Sequence, residues 1–394
     1  MTMLDRAKKY ENYIISLRRY FHENPELSGE EDNTIGKIAE ELDSMGIEYV
    51  DIKPGGIFAK ISGSSEGEKT VLLRADVDAL LVDETEENLR QKKTCVSKKS
   101  GVMHACGHDG HTAMLLGAAK ILTEKRNEIN GTVYLCFERG EENTDDYLAL
   151  FRYMDEHGIN PDTAFAIHLL SSLPSGKTVI NDGAMMAGNM SFYVTITGEG
   201  GHGSRPDEAN SPIDCFTAIY QRFQSLRLAR VSPFETLTYS VGFLKAGTQS
   251  NIIPKTLEFS GMIRYFNSEL EDVVAEEFKK MIEGIASAYG CSIDYKLGLT
   301  NPPVINCSKH AKIARTVASR EIGEENVITS EPWMASESFA NYLRKWNGVM
   351  SFIGIKNEEL GTGSPNHSPE FDIDEAVLKN GSAVAAAYAL EFLK

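Results

Sequence analysis

At 394 residues, with 42% apolar and 25% charged side chains and no biased tract, the chain is too long for one typical core and reads as two folded domains. A formal net charge of −17 argues against nucleic acid or an anionic membrane surface as a partner, because a polyanion would be repelled. The first ten residues hold no apolar run and nowhere do 18 apolar residues stand together, so neither a signal peptide nor a membrane span is expected, and six scattered cysteines without a C-x-x-C pair suit a reduced, cytoplasmic protein.

In chain order, residues 4–22 place Leu4, Ala7, Ile14, Leu17 and Phe21 on one helical face, and Asn24-Pro25 ends that helix. A second helix spans 33–45 and stops at Gly46. Residues 70–75 form an apolar run suited to a buried strand that delivers Asp76 and Asp78 at its C-terminal end. Residues 82–99, polar and charged, read as a surface excursion. The densest chemistry follows: V-M-H-A-C-G-H-D-G-H-T (102–112) packs His104, Cys106, His108 and His111 into eight positions, using three of the chain's nine histidines. Imidazole and thiolate are ligands that a borderline-soft divalent ion prefers. The apolar run 113–122 makes this a loop entering a helix, with Asp109 as the expected N-cap.

Two more buried strands are expected at 132–137, leading into Glu138-Arg139-Gly140-Glu141-Glu142, and at 164–167, leading into His168. Strands that carry polar groups at their C-terminal ends, with a helix among them, are the pattern of an α/β sheet whose site lies along that edge. From 191 to 297 the order changes to strand, helix, strand, strand, helix, strand, the ferredoxin-like arrangement of an inserted domain. Its first loop, Gly198-Glu199-Gly200-Gly201-His202-Gly203-Ser204, carries one histidine among four glycines. The remainder returns to the first pattern, with helices at 311–321 and 375–393, a strand at 349–355, and a lone His367 in the loop 361–369.

Together these segments resemble a family of metal-dependent amidohydrolases that includes aminoacylases, hippurate hydrolase and indole-acetyl-amino-acid hydrolases, within the co-catalytic zinc carboxypeptidase and dipeptidase superfamily. The resemblance runs through R-R-Y-F-H-E-N-P-E-L (18–27), R-A-D-V-D-A-L (74–80), M-H-A-C-G-H-D-G-H-T-A-M (103–114), G-E-E (140–142), A-I-H-L (166–169), G-G-H-G-S-R-P (200–206), N-I-I-P (251–254) and N-H-S-P-E-F-D-I-D-E (366–375). It implies an α/β/α catalytic domain of the zinc-peptidase kind, built from 1–187 and 299–394, with a ferredoxin-like lid and dimerisation domain at 188–298.

The same resemblance implies two divalent ions, Zn²⁺, Mn²⁺, Co²⁺ or Ni²⁺, held by Cys106, His108, Glu142, His168 and His367. Glu141 is then the general base that activates a metal-bound water, and His202 stabilises the tetrahedral oxyanion, often from across a dimer. Asn251 and Arg264 resemble positions that hold the substrate's α-carboxylate, and Asp76 one that orients a ligand histidine. The implied activity is hydrolysis of the amide bond of an N-acyl amino acid. Its rivals are a dipeptidase or carboxypeptidase of the same superfamily and a metal-site binding protein without turnover. A thiol hydrolase using Cys106 as nucleophile leaves Glu142, His168 and His367 unexplained.

Three departures stand beside the resemblance. Glu138-Arg139-Gly140 replaces the usual Gln-Pro-Ala, Leu81 replaces a proline, and Ser336-Glu337-Ser338-Phe339 replaces S-E-D-F. The added charge at Glu138 or Arg139 is expected to favour a polar acyl or amino-acid group.

Overall fold

The computed structural model describes residues 2–63, 67–299 and 301–394. It contains two compact units, one of Met1–Met185, Ile305–Glu331 and Tyr342–Lys394, the other of Met186–Val304 and Pro332–Asn341.

The first unit is built on an eight-stranded mixed sheet. Its strand order is Glu48–Ile52, Gly56–Ser62, Thr132–Glu138, Thr70–Asp76, Thr163–Pro174, Gly348–Lys356, Thr178–Val179 and Val327–Ile328. The four central strands, from Thr132–Glu138 to Gly348–Lys356, run parallel. Their side chains are buried almost without interruption, as expected of strands covered on both faces. That burial explains why they read in the sequence as continuous apolar runs. The outer strand Glu48–Ile52 lacks that signal because it is largely exposed.

The helix His108–Glu124 is buried along nearly its whole length and packs against Leu378–Phe392 and Glu11–Glu23. A helix apolar on every side belongs inside a layer rather than on its surface. Sequence and structure differ at its start. The N-cap is Gly107, at φ 91, and Asp109 lies inside the first turn. The single helix expected over 4–22 is two, Met3–Lys9 and Glu11–Glu23, joined at Tyr10.

Asp109 has a different partner from the one its cap position suggested. Its Oδ2 accepts from Arg18 Nε at 2.9 Å and lies 2.7 Å from His22 Nδ1, with all three groups buried. His22 Nε2 lies 2.9 Å from Glu84, which also takes Lys93 Nζ at 3.0 Å. The carboxylates at both ring nitrogens raise the His22 pKa above its ordinary value, against the opposing effects of burial and of the Arg18 charge. The segment 82–99 is therefore not a simple surface excursion, because Glu84, Asn88, Lys93 and Cys95 reach the interior from it.

The second unit has the expected order. Strands Gly188–Thr197, Leu237–Ala246, Thr256–Tyr265 and Ser292–Leu299 form one antiparallel sheet, with Leu237–Ala246 and Ser292–Leu299 at its edges. Helices Pro212–Arg230 and Leu270–Ala288 bury Phe223 and Phe278 against Phe192 of the first strand.

Asp109→Ala would leave Arg18 and His22 buried without their shared carboxylate. The expected loss is about 3–5 kcal/mol of unfolding free energy in urea, and a loss below about 1 kcal/mol, the value of an exposed pair, would show that this network does not anchor the helix.

Candidate metal centre

Five donor groups come together in the first unit from four separate segments. Cys106 Sγ lies 3.6 Å from His168 Nε2 and 3.3 Å from His367 Nε2. Glu142 Oε1 lies 3.3 Å from that same His367 nitrogen and 3.8 Å from His108 Nε2. Ligand bonds of about 2.0–2.3 Å in a tetrahedral shell place neighbouring donors roughly 3.3–3.8 Å apart, so these separations are those of a coordination shell. His108 Nε2 and Glu142 Oε1 are also buried without a hydrogen-bond partner, which is costly unless a cation completes them. The donor set fits a divalent ion by chemistry and by spacing.

Local structure aims each donor. His108 Nδ1 lies 3.0 Å from Asp78 Oδ1, so the proton sits on Nδ1 and Nε2 is left to coordinate. His168 does the same through its own strand, with Nδ1 donating to the Leu169 carbonyl at 2.8 Å. The strand carrying it runs on to Pro174 rather than ending before it. Asp78 Oδ2 accepts from the Glu142 amide at 3.0 Å, so one carboxylate sets two ligands. His367 adopts φ 69, unusual for a residue with a side chain, and its amide donates to the Ala105 carbonyl at 2.8 Å. Asn366 accepts from the Ser171 amide at 3.3 Å and donates to the Cys106 carbonyl at 3.4 Å, tying the His367 loop to the other ligand segments.

The remaining members of the histidine cluster do other work. His111 Nδ1 is 2.6 Å from Asp76 Oδ1, and its Nε2 accepts from the Leu169 amide at 2.8 Å. Both nitrogens are used within the protein, so His111 braces the segment next to His168. Asp76 thus bonds His111, not one of the five donors, while its Oδ2 lies 3.7 Å from His108 Nε2. The carboxylate that orients a donor histidine directly is Asp78, which stood in the R-A-D-V-D-A-L motif without an assigned role. His104 is buried with both ring nitrogens unpartnered, and burial pushes its pKa down to about 4, which keeps it neutral. Glu141 has a carboxylate oxygen within 4.8 Å of the donor atoms of His108 and Glu142.

The charged departures at 138 and 139 are paired inside this unit. Glu138 accepts from Arg74 Nε at 3.0 Å, and Arg74 also reaches Asp76 at 2.7 Å; Arg139 reaches Asp32 at 2.9 Å.

The other predicted residues lie in the second unit. His202 is exposed, and its Nδ1 accepts from the Ser204 amide at 3.1 Å. With Nδ1 accepting, Nε2 is the ring nitrogen left to donate. Arg264 donates through Nη1 to the Met334 carbonyl at 2.7 Å and is half-buried. Asn251 is exposed, and its carbonyl accepts from the Gly203 amide at 2.8 Å.

The chain matches the model of the peptidase family M20/M25/M40 over residues 72–391, and it belongs to that family. It is 36% identical to thermostable carboxypeptidase 2 of Saccharolobus solfataricus, with 98% of this chain and 97% of that protein covered. It is 34% identical to the Arabidopsis thaliana IAA-amino acid hydrolase ILR1-like 2, covering 100% and 88% of the two chains. It is 33% identical to N-acetylcysteine deacetylase of Bacillus subtilis, covering 98% of each. Among solved structures, the Bacillus subtilis YxeP protein, a dinuclear metal-binding peptidase of the M20 family, superposes with a TM-score of 0.82 at 30% identity, covering 98% of this chain and 99% of that one. The protein is an amide-bond hydrolase of the M20 family. No helix among the described residues is long and apolar enough to cross a membrane.

The protonation of the donors sets a pH dependence. Burial raises the Cys106 thiol well above its ordinary value, and the charge of Glu142 adds to this. Burial opposes charge on His108, but Asp76 and Asp78 outweigh it and raise that pKa too. The Cys106 thiol therefore carries a proton that an incoming cation must displace, and the raised His108 pKa favours a second on Nε2. Metal affinity should rise with pH, by roughly tenfold per displaced proton per unit. Competition with a chelator between pH 6 and 8 measures it, and a flat profile would contradict two displaced protons.

Proposed function

We propose that this enzyme hydrolyses the amide bond of N-acyl amino acids, releasing a carboxylate and a free amino acid. The observation that carries the reading is the complete donor set Cys106, His108, Glu142, His168 and His367 with Glu141 beside it. Relatives named as an IAA-amino acid hydrolase and an N-acetylcysteine deacetylase support this substrate class.

The five donors would hold two divalent ions, and sulfur, imidazole and carboxylate suit Zn²⁺, Mn²⁺, Co²⁺ or Ni²⁺. Ions bound there supply Lewis-acid polarisation of the scissile carbonyl and a lowered water pKa. Glu141 takes a proton from the attacking water and returns it to the leaving amine. His202, held as an Nε2–H donor by Ser204, stabilises the oxyanion. Arg264 and Asn251 hold the α-carboxylate, with Arg264 already fixed on one side by the Met334 carbonyl.

Residues 188–298 act as the lid and dimerisation domain. The edge strand Leu237–Ala246, with Phe243 and Leu244 exposed, supports pairing with a second copy. All six cysteines are free, which supports a reducing compartment such as the cytoplasm.

A carboxypeptidase is the second reading, favoured by the 36% identity to thermostable carboxypeptidase 2. A panel of N-acetyl, N-benzoyl and indole-acetyl amino acids beside free dipeptides and longer peptides separates the two. Chelator-sensitive release of amino acid from the acylated set is the expected result, and turnover of peptides alone would overturn the acylase reading. Glu141→Gln should keep its metal, measured by elemental analysis, and lose at least about 100-fold in kcat. Wild-type kcat in that variant would remove Glu141 from the base role.

A further inference from the structure

The segment that carries Glu141 and Glu142 leaves the strand Thr132–Glu138 through a turn with little regular structure of its own. Several hydrogen bonds hold it. The Arg139 amide donates to the Gly55 carbonyl at 3.1 Å, and the Glu142 amide donates to Asp78 at 3.0 Å. The Gly140 carbonyl accepts from the Thr144 amide at 2.9 Å. Another comes from far away in sequence: Glu31 Oε1 accepts from the Gly140 amide at 2.9 Å.

Glu31 is an unusual residue to find there. It is fully buried at the head of the helix Asp32–Ser44, and its second oxygen, Oε2, has no hydrogen-bond partner. Burying a carboxyl group with one oxygen unsatisfied costs free energy that an apolar residue would avoid. Its carboxyl does not cap its own helix. Burial, with the charge of Asp78 adding, pushes the Glu31 carboxyl up to about 7. The turn it grips is equally demanding, because Gly140 has φ 73 and a Cβ there would meet Thr144 Oγ1 at 1.9 Å. Glycine suits that left-handed conformation best, and a turn built on glycine resists motion least.

We propose that Glu31 is a positioning residue for the general base: its grip on the Gly140 amide holds the turn that presents Glu141 to the donor groups. A base displaced by about 1 Å loses roughly 100-fold in rate while the substrate still binds, which gives the grip its functional worth. This inference rests on the general-base assignment of Glu141 made above. Glu31 touches none of the five donors in any hydrogen bond or ion pair among the described residues, so its removal should leave metal binding intact.

The test compares Glu31→Ala, Glu31→Gln and Glu141→Gln in the full-length, metal-loaded enzyme, with metal content measured alongside kcat and KM on whichever substrate of the panel is turned over. Glu31→Ala should retain the wild-type metal content and a KM within about threefold, and lose roughly 10–100-fold in kcat. Glu31→Gln, which keeps an oxygen for the Gly140 amide, should recover most of that loss. If Glu31→Ala does not fold, Glu31→Asp, with its carboxylate withdrawn by one methylene, takes its place with the same expectation. Unchanged kcat in Glu31→Ala, metal loss in step with activity, or equal impairment of Glu31→Gln and Glu31→Ala would each overturn the proposal. An active Glu141→Gln would instead overturn the general-base reading itself, so the two failures are told apart.

Discussion

Three aspartates buried beneath the metal centre each bond the Nδ1 of an imidazole. Asp78 holds His108, Asp76 holds His111 and Asp109 holds His22, at 3.0, 2.6 and 2.7 Å. A buried carboxylate is stable only when partnered, and an imidazole bonded at Nδ1 has its ring plane and tautomer set. The layer therefore satisfies its own charges while fixing what lies above it. His108 points Nε2 at the donors, His111 braces the segment of His168, and His22 with Arg18 locks the first turn of the donor helix. Of the other donors in this unit, Glu142 is set by the same Asp78 through its amide.

The fourth donor segment has to be brought from the other end of the chain. His367 stands 261 positions beyond Cys106, yet its Nε2 lies 3.3 Å from that sulfur. Its positive φ is a strained conformation, tolerated where the surroundings over-determine it. The amide bond to Ala105 and the contacts of Asn366 supply that determination. Strain held in place at a donor residue is consistent with a site formed in advance of its ligand.

The departures from the family pattern teach a similar lesson about charge. Glu138 and Arg139 replace uncharged residues at the exit of a central strand, where added charge is expected to favour a polar acyl or amino-acid group. Their ionic partners are Arg74 and Asp32 within the same unit, and Glu138 is fully buried. A charge inside a low-dielectric interior acts on its nearest counter-charge far more than on a distant ligand. Leu81, the replacement for proline, is largely exposed and touches none of this.

What the sequence determined by itself was local or chemical in kind. Continuous apolar runs announced the central strands because parallel strands are buried on both faces, and the alternation and helix order of 191–297 announced the second sheet. Cysteine, histidine and glutamate at the ends of those runs announced a cation site, since few other arrangements need those side chains together. Tertiary structure decided which atom of each residue is used. Nothing in the spacing of Asp76 and Asp78 says which one meets His108, because two residues apart on an extended segment differ only in how the fold lays them against the helix. Asp109 reads as a cap and is instead a buried counter-ion, and Glu31, which has no role legible in the sequence, grips Gly140. Such pairings join residues 91 and 109 positions apart, and sequence periodicity carries no information over that distance.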